Sequence, residues 1–282
     1  MDRASRVRAS FADRLPAPAW WPHALTQLEM RRSPLLLLAG VVLVSVSPWA
    51  RAQVPVDLAS AATYAVLGSS TVTNTGPTVI DGDLGVSPGT AYTGFPPGTV
   101  INGTIHASDA ASSQAMTDAA AVYNRLASET FTQDLSGQDL GSRTLTPGVY
   151  FFSTTAQLTG ILTLDAGNDP NARFDFRIGS TLGSSVGSQV VLIDGAQAAN
   201  VYWQVGTSMT LLSSSLLKGT VLASSSIVMG TGATVDGRLI ALNGAITLDS
   251  NDVTVPPAIP EPAAYAALLA ATALALAIRR RR

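Results

Sequence analysis

Apolar residues recur at a fixed interval in the C-terminal part of the chain, separated by glycine and small polar residues. An 18-residue period divides this part into 201–218, 219–236 and 237–254. Under this period the apolar residues align in three columns, and three columns predict three short strands in each turn of the chain. The columns, the last of which has a one-residue slip, are Trp203, Val221 and Leu239; Leu217, Val235 and Val253; and Met209, Ile227 and Ile246.

Strands this short cannot bury their apolar side chains alone, but coils stacked about 4.8 Å apart enclose a continuous core. The repeat therefore predicts a mainly β chain folded as a β-helix, or solenoid. A β-sandwich, with strands about every 8 to 12 residues, is the alternative, and it does not explain columns at 18. Segments 158–165, 174–178 and 190–193 are predicted to be strands of less regular coils.

One helical segment interrupts this pattern, over residues 109–128, and Ser108 or Asp109 can cap its start. Its narrow stripe of mostly small side chains would let the helix lie close against a solenoid face. The stripe consists of Ala111, Ala115, Ala119, Val122 and Leu126. His106 precedes the helix, and a lone histidine at a strand-to-helix junction favours a structural role over a catalytic one.

The N-terminal region has the pattern of a secretory signal peptide over residues 30–52. Met30 is followed by two arginines, an apolar run from Leu35 to Val46, and the small-x-small site Ala50-Arg51-Ala52. We therefore expect the mature chain to begin at Gln53. A membrane anchor, the alternative, needs about 20 apolar residues, and this run is shorter. Residues 1–29 are either an incorrectly assigned start or an unusually long leader.

The C-terminal segment, 256–282, contains Pro260-Glu261-Pro262, then the uncharged residues 263–278, and ends in four arginines. As a helix, 263–278 would be about 24 Å long, slightly shorter than a hydrocarbon core of about 30 Å. The order of these features resembles the PEP-CTERM sorting signal of Gram-negative bacteria. This resemblance implies transient inner-membrane contact, removal of the tail by an exosortase-type peptidase, and delivery to the cell surface or extracellular matrix. A permanent C-terminal anchor is the alternative.

Composition excludes several classes of function for the domain over 53–255. It contains fifteen acidic and six basic side chains, a net charge near −9, which disfavours nucleic-acid binding. Cysteine is absent, so stability must come from packing and backbone hydrogen bonds.

A polysaccharide-cleaving solenoid is the enzymatic alternative, and it would need clustered carboxylates. Asp81 and Asp83 are the best pair available, but their intervening glycine suits a turn better. The sequence contains no nucleophile elbow, metal-ligand cluster or phosphate-binding loop. We therefore expect neither catalysis nor a cofactor nor a metal.

Three segments are similar to the microbial ice-binding family, which includes bacterial, fungal and diatom antifreeze proteins. They are Leu67–Ala107, which begins LGSSTVTNTGPTVIDGDLG; Leu145–Leu182, which begins LTPGVYFFSTTAQLTG; and Gly232–Asn251, GATVDGRLIALNGAITLDSN. The resemblance implies a right-handed β-helix of roughly triangular section with one long helix packed alongside. It also implies that one flat solenoid face binds the surface of an ice crystal.

The predicted ice-binding residues follow from the column of Met209, Ile227 and Ile246. Because these side chains point inward, their neighbours along each strand point outward. These neighbours form an array of small, mostly hydroxyl-bearing side chains, which Val228 interrupts. The predicted face consists of Thr181, Ser208, Thr210, Ser226, Val228, Ala245 and Thr247. The family's Thr-(Ala/Gly)-x-(Thr/Asn) pattern adds weaker candidates: Thr90 and Thr93, and Thr231 and Thr234.

Two functions remain open at this point. The first is an exported ice-binding protein that inhibits ice growth or recrystallisation. The second is a surface or matrix adhesin that contacts extracellular polysaccharide or neighbouring cells, in which ice has no part. The sorting signal suits the second function, because it directs proteins to an envelope rich in exopolymer.

Overall fold

Alternation of apolar with small polar residues gives short strands that bury one side and expose the other. The computed structural model describes residues 56–257, and the expectations for the leader, signal peptide and sorting segment lie outside that range. The strands are β1 (Tyr64–Gly68), β2 (Thr71–Thr75), β3 (Val79–Asp81), β4 (Asp83–Val86), β5 (Ala91–Thr93), β6 (Thr99–Ile101), β7 (Ile105–Ala107), β8 (Gln133–Asp134), β9 (Arg143–Leu145), β10 (Gly148–Phe152), β11 (Ala156–Leu158), β12 (Ile161–Asp165), β13 (Phe174–Ile178), β14 (Leu182–Ser184), β15 (Gln189–Ile193), β16 (Val201–Val205), β17 (Met209–Leu211), β18 (Leu216–Ala223), β19 (Ile227–Met229), β20 (Thr234–Ala241), β21 (Ile246–Asp249) and β22 (Asp252–Thr254).

The strands stack in parallel and form three faces. Face 1 is a seven-stranded sheet in the order β11, β14, β17, β19, β21, β2, β5. A 15-stranded sheet forms the other two faces, because β18 and β20 continue around a corner. Face 2 contains β9, β12, β15, the first halves of β18 and β20, β22, β3 and β6, and face 3 contains β8, β10, β13, β16, the second halves of β18 and β20, β1, β4 and β7.

The predicted 18-residue register is confirmed in each apolar column. Trp203 pairs with Val221, which pairs with Leu239, and the other two columns stack in the same way. All nine side chains are buried, so the repeat supplies the core between the faces. The chain is mainly β with parallel sheets, in agreement with a solenoid.

Glycines let β18 and β20 bend at the corner between faces 2 and 3. Gly219 has φ +108°, a conformation that side chains disfavour, and it stacks on Gly237 in the next coil. A Cβ atom on Gly237 would lie 1.8 Å from the carbonyl oxygen of Gly219. The corner therefore depends on two stacked glycines.

The coils do not stack in sequence order. β1, β2 and β3, which open the described chain, pair with β20, β21 and β22, which close it. We call this junction the seam. It is held by backbone pairing and by side chains such as that of Thr78, whose hydroxyl accepts a hydrogen bond from the backbone N–H of Asn251 at 3.0 Å. The N-terminal coils thus lie beyond the C-terminal coil.

The helix predicted over 109–128 is observed as α1 (Ala110–Ser128), with Asp109 as its N-cap. The Asp109 carboxylate accepts a hydrogen bond from the backbone N–H of Ser112 at 2.8 Å. Ala111 was expected in the buried stripe, but it is exposed, and the buried position in that turn belongs to Ser112. The shift occurs because the Ser112 hydroxyl also bonds to Asp109 and is held against the solenoid.

The rest of the helical stripe packs on face 3. Ala115, Ala119, Val122 and Leu126 form one buried cluster with outward side chains of that face, including Leu67, Tyr202, Leu222 and Ile240. The helix therefore covers face 3 and leaves faces 1 and 2 open. Within residues 56–257 no helix has both the length and the apolar character needed to cross a bilayer.

Candidate functional site

Face 1 presents two parallel columns of outward side chains. Its inward side is the buried column that includes Met209, Ile227 and Ile246, and the residue on each side of this column points outward. We call the residues before it column 1 and those after it column 2. In spatial order, column 1 is Thr155, Thr181, Ser208, Ser226, Ala245, Thr71 and Ala91, and column 2 is Gln157, Gly183, Thr210, Val228, Thr247, Thr73 and Thr93.

The two columns are small and uncharged. None of their fourteen positions carries an ionisable side chain, and twelve are Thr, Ser, Ala or Val. Val228 has the branched shape of threonine, so it removes a hydroxyl from column 2 without changing the height of the surface. It is 40% exposed, as expected for an outward residue. These twelve positions therefore combine small side chains with a mixture of methyl and hydroxyl groups.

Hydrogen bonds fix several of the column 1 hydroxyls. The Ser208 hydroxyl accepts from the backbone N–H of Ser226, and the Ser226 hydroxyl accepts from that of Ala245, both at 3.3 Å. The hydroxyls of Thr155 and Thr181 lie 2.9 Å apart and share a hydrogen bond. These contacts order the side chains, so that column 1 has a defined arrangement before any ligand arrives.

All seven of the main predicted residues lie on face 1. Thr181, Ser208, Ser226 and Ala245 belong to column 1, and Thr210, Val228 and Thr247 belong to column 2. Of the weaker candidates, Thr93 belongs to column 2, and Thr90 immediately precedes β5. The structure therefore brings the main candidates together with Thr93.

The second motif, Thr231 to Thr234, lies elsewhere. Thr231 occupies the turn after β19, where its hydroxyl donates to the carboxylate of Asp249. Ala233 is buried, and Thr234 begins β20 on face 2. Both threonines are therefore outside the two columns.

Sequence reasoning missed the members of face 1 that come from other coils. They are Thr71, Thr73, Ala91, Thr155, Gln157 and Gly183. The signal that could have found the N-terminal pair is local: Thr71-Val72-Thr73 repeats the small-apolar-Thr pattern of Ala245-Ile246-Thr247. Across the seam the hydroxyls of Thr73 and Thr247 lie 3.4 Å apart.

The two carboxylates considered as a catalytic pair form hydrogen bonds within the fold. Asp81 and Asp83 flank Gly82 at a corner, where their carboxylates accept from the Asn102 side chain and the Thr104 backbone. This arrangement agrees with the expected turn. Within residues 56–257 no group of three or more His, Cys, Asp or Glu side chains is placed to hold a metal ion.

His106 lies on β7 and faces the helix N-cap. Its Nδ1 is 2.7 Å from the carboxylate of Asp109, and its Nε2 is 2.8 Å from the Thr104 hydroxyl. The hydrogen bond from the Ser112 backbone, followed by that from His106, lowers the pKa of Asp109 to about 2. His106 thus contributes to capping α1, in agreement with the structural role expected of it.

Comparison with known proteins connects this surface to a family. Residues 66–254 match the family described as Ice-binding-like. An ice-binding protein of Nostoc sp. (strain HG1) is 47% identical over 265 residues, which cover 90% of this chain and 98% of that protein. An ice-binding protein of Flavobacterium frigoris (strain PS1) is 31% identical, over 71% of this chain and 76% of that protein.

Solved structures agree with these matches. The crystal structure of an ice-binding protein from the Antarctic ascomycete Antarctomyces psychrotrophicus has a TM-score of 0.70 at 39% identity, covering 73% of this chain and all of that one. One from an Antarctic biological consortium has a TM-score of 0.70 at 45% identity, covering 73% of this chain and 93% of that one. The family match and these relatives together show that the protein belongs to the ice-binding-like family.

Proposed function

We propose that the protein binds ice through face 1 and thereby inhibits ice growth or recrystallisation. The observation that supports this most is the pair of outward columns on β17, β19, β21, β2 and β5, in which small side chains repeat from strand to strand without an ionisable group. The relatives from Nostoc and Flavobacterium frigoris are ice-binding proteins, which favours ice over the adhesin alternative.

The physical basis of binding is an array rather than a single strong contact. Successive strands repeat at about 4.8 Å, so methyl and hydroxyl groups recur at a fixed interval along each column. Contact between the methyl groups and liquid water is unfavourable, whereas the hydroxyls form hydrogen bonds that hold water molecules in place. Together they order a layer of water that can merge with the lattice of a growing crystal.

Bulky substitutions on face 1 test this proposal. Thr210→Tyr and Thr247→Tyr lie on β17 and β21, the two strands that flank β19, and Thr73→Tyr lies on the other side of the seam. Each tyrosine should hold the flat surface away from the crystal, so thermal hysteresis and recrystallisation inhibition should fall sharply. Circular dichroism and melting should stay near wild type, because all three side chains point outward.

Thr163→Tyr is the matched control. Thr163 is the central outward residue of β12 on face 2, between Thr144 and Val191. Its substitution should leave activity unchanged. If Thr163→Tyr removed activity and the face 1 variants did not, face 2 would be the binding surface. If the wild-type domain over 53–255 neither shaped ice nor slowed recrystallisation, the adhesin function would replace ice binding.

The setting we propose is the outside of a Gram-negative cell. The supporting features are the signal peptide pattern over 30–52 and the Pro-Glu-Pro, apolar and arginine order of 256–282. An exosortase-type peptidase would remove the tail after transient inner-membrane contact through 263–278. Mass spectrometry of exported protein should find a chain from Gln53 to near Pro260, and an intact arginine end would contradict tail removal.

Further parts of the proposal concern shape and chemistry. A right-handed solenoid of triangular section is supported by three strands per coil and by the strong right-handed preference of parallel crossovers. We also propose that the domain has no enzymatic activity and that extracellular polysaccharide is at most a neighbour of the protein at the cell surface. Incubation with acidic glycans should therefore release no reducing ends.

A further inference from the structure

Face 1 is not equally flat along its length. From Thr210 to Thr93, column 2 consists of five consecutive branched side chains of nearly equal size, on β17, β19, β21, β2 and β5. The next two strands, β14 and β11, carry Gly183 and Gln157 at the same position. A residue with no side chain therefore lies beside the longest side chain of the array.

The Gln157 amide lies directly over Gly183. A Cβ atom placed on Gly183 would be 2.5 Å from Gln157 Oε1 and 3.5 Å from Nε2, so the glutamine occupies the volume that a side chain at 183 would fill. A flexible polar arm that lies across the strand cannot repeat the spacing of the other five strands. The surface therefore changes character between β17 and β14.

We infer that Gln157 ends the ice-contact patch, which spans only the five strands from β17 to β5, and that Gln157 thereby limits the activity of the protein. This inference rests on the proposed function. Five strands spaced by about 4.8 Å give a flat length of about 19 Å, whereas seven would give about 29 Å. Two further strands of face 1 have the correct register but are not used.

The backbone already suits a longer patch. β11 and β14 continue the parallel register of face 1, and column 1 keeps threonine on both coils, at Thr155 and Thr181. The φ of Gly183 is not in the left-handed region, so a side chain there is not strained by its backbone. The three nearest atoms belong to the end of the Gln157 side chain, which can move.

Two substitutions follow from this inference, and they have opposite expected results. Gln157→Tyr adds bulk outside the patch, so it should retain wild-type thermal hysteresis, although Thr210→Tyr loses it. The double variant Gln157→Thr with Gly183→Thr extends column 2 by two strands. Its thermal hysteresis should rise to about 1.5-fold that of wild type, in proportion to the flat length.

Two controls isolate the cause. Gly183→Thr alone should give no gain, because it pushes the Gln157 arm outward from the surface. Gln189→Thr removes an outward glutamine from β15 on face 2 and should leave thermal hysteresis unchanged. Melting measured on every variant separates a loss of binding from a loss of folding.

The outcomes separate this inference from the proposed function. If Gln157→Tyr, folded as wild type, loses activity as Thr210→Tyr does, the patch includes β11 and the inference is wrong while ice binding stands. The same conclusion follows if the folded double variant shows no gain. A wild-type domain that does not act on ice would overturn the proposed function and the inference together.

Discussion

Faces 1 and 2 are built from the same coils and share strand direction and spacing, yet their outward side chains differ in charge. Face 1 has no ionisable residue in its two columns, whereas the outward positions of face 2 include Lys218, Asp236 and Asp252. On face 2 the Lys218 ammonium lies 3.0 Å from the Asp236 carboxylate of the next coil. The fold therefore provides a regular array twice, and the outward residues make one array uncharged and the other charged.

The difference also appears in how each face satisfies its polar groups. On face 2 a charged group finds its partner one coil away, so the pair holds a local and strongly hydrated arrangement. On face 1 the column 1 hydroxyls bond to the backbone of the neighbouring coil, and this leaves the surface flat. The two faces thus differ in whether their polar groups are neutral and bonded to the backbone or charged and paired with each other.

The largest expected effect comes from the core that both faces share. Val235 is 1% exposed and lies between Leu217 and Val253 under face 2. Val235→Asp should lower the free energy of unfolding by about 3 kcal/mol or more, because it buries a carboxylate without a partner. Urea and thermal denaturation measure this change.

Thr163→Asp is the control for that substitution, since it adds the same charge on the outward side of face 2. It should change the free energy of unfolding by less than about 0.5 kcal/mol. A Val235→Asp variant that melted like wild type would contradict the stacked core and, with it, the assignment of inward and outward residues on both faces.

A smaller effect is expected from pH, which should change stability through Asp109 but leave ice activity unchanged. The folded state holds the pKa of Asp109 at about 2, below its ordinary value near 4, so this contribution to stability is complete above pH 4 and is lost as the pH falls toward 2. Melting temperature should therefore fall over that interval. Ice activity of the folded fraction should stay constant, because the columns of face 1 have no group to titrate.

Asp109→Asn sharpens the pH comparison. Asparagine still caps a helix, but it does not titrate, so the fall in melting temperature between pH 4 and pH 2 should be shallower than in wild type. Circular dichroism melts at several pH values provide the measurement. An activity per folded molecule that changed with pH would mean that charged residues outside face 1 take part in binding.

The smallest expected effect concerns the ion pair on face 2. Lys218→Ala combined with Asp236→Ala should change the free energy of unfolding by less than about 1 kcal/mol, because both side chains are partly exposed. Ice activity should be the same as in wild type. A gain in activity would instead show that charge is what prevents face 2 from binding ice.

Local periodicity was enough to predict much of this fold. The 18-residue columns, the helix and the outward residues of β17, β19 and β21 follow from spacing alone, because neighbouring coils in that region are also neighbours in sequence. The prediction that Ala111 belongs to the buried stripe was wrong for a local reason: the cap formed by Asp109 turns Ser112 toward the solenoid.

Two features of the candidate site could not be predicted from local spacing. The placement of Thr73 beside Thr247 depends on contact between segments 174 residues apart, and no local pattern specifies such a contact. The Thr231 motif has the letters of a binding strand, but it starts after β19 has ended, so Ala233 turns inward and Thr231 bonds to Asp249. The Thr-(Ala/Gly)-x-(Thr/Asn) pattern therefore predicts outward residues only where a strand continues through it.

The seam has a consequence for the order of events during synthesis. β2 and β5 are among the first strands to emerge, but β21, the partner of β2, is among the last strands to be made. Closing so long a loop is slow, and until then the edge of β2 is open to pairing with other chains. The two sides of face 1 therefore meet only in a chain that has been translated to its last coil, so an unfinished chain cannot display the whole surface.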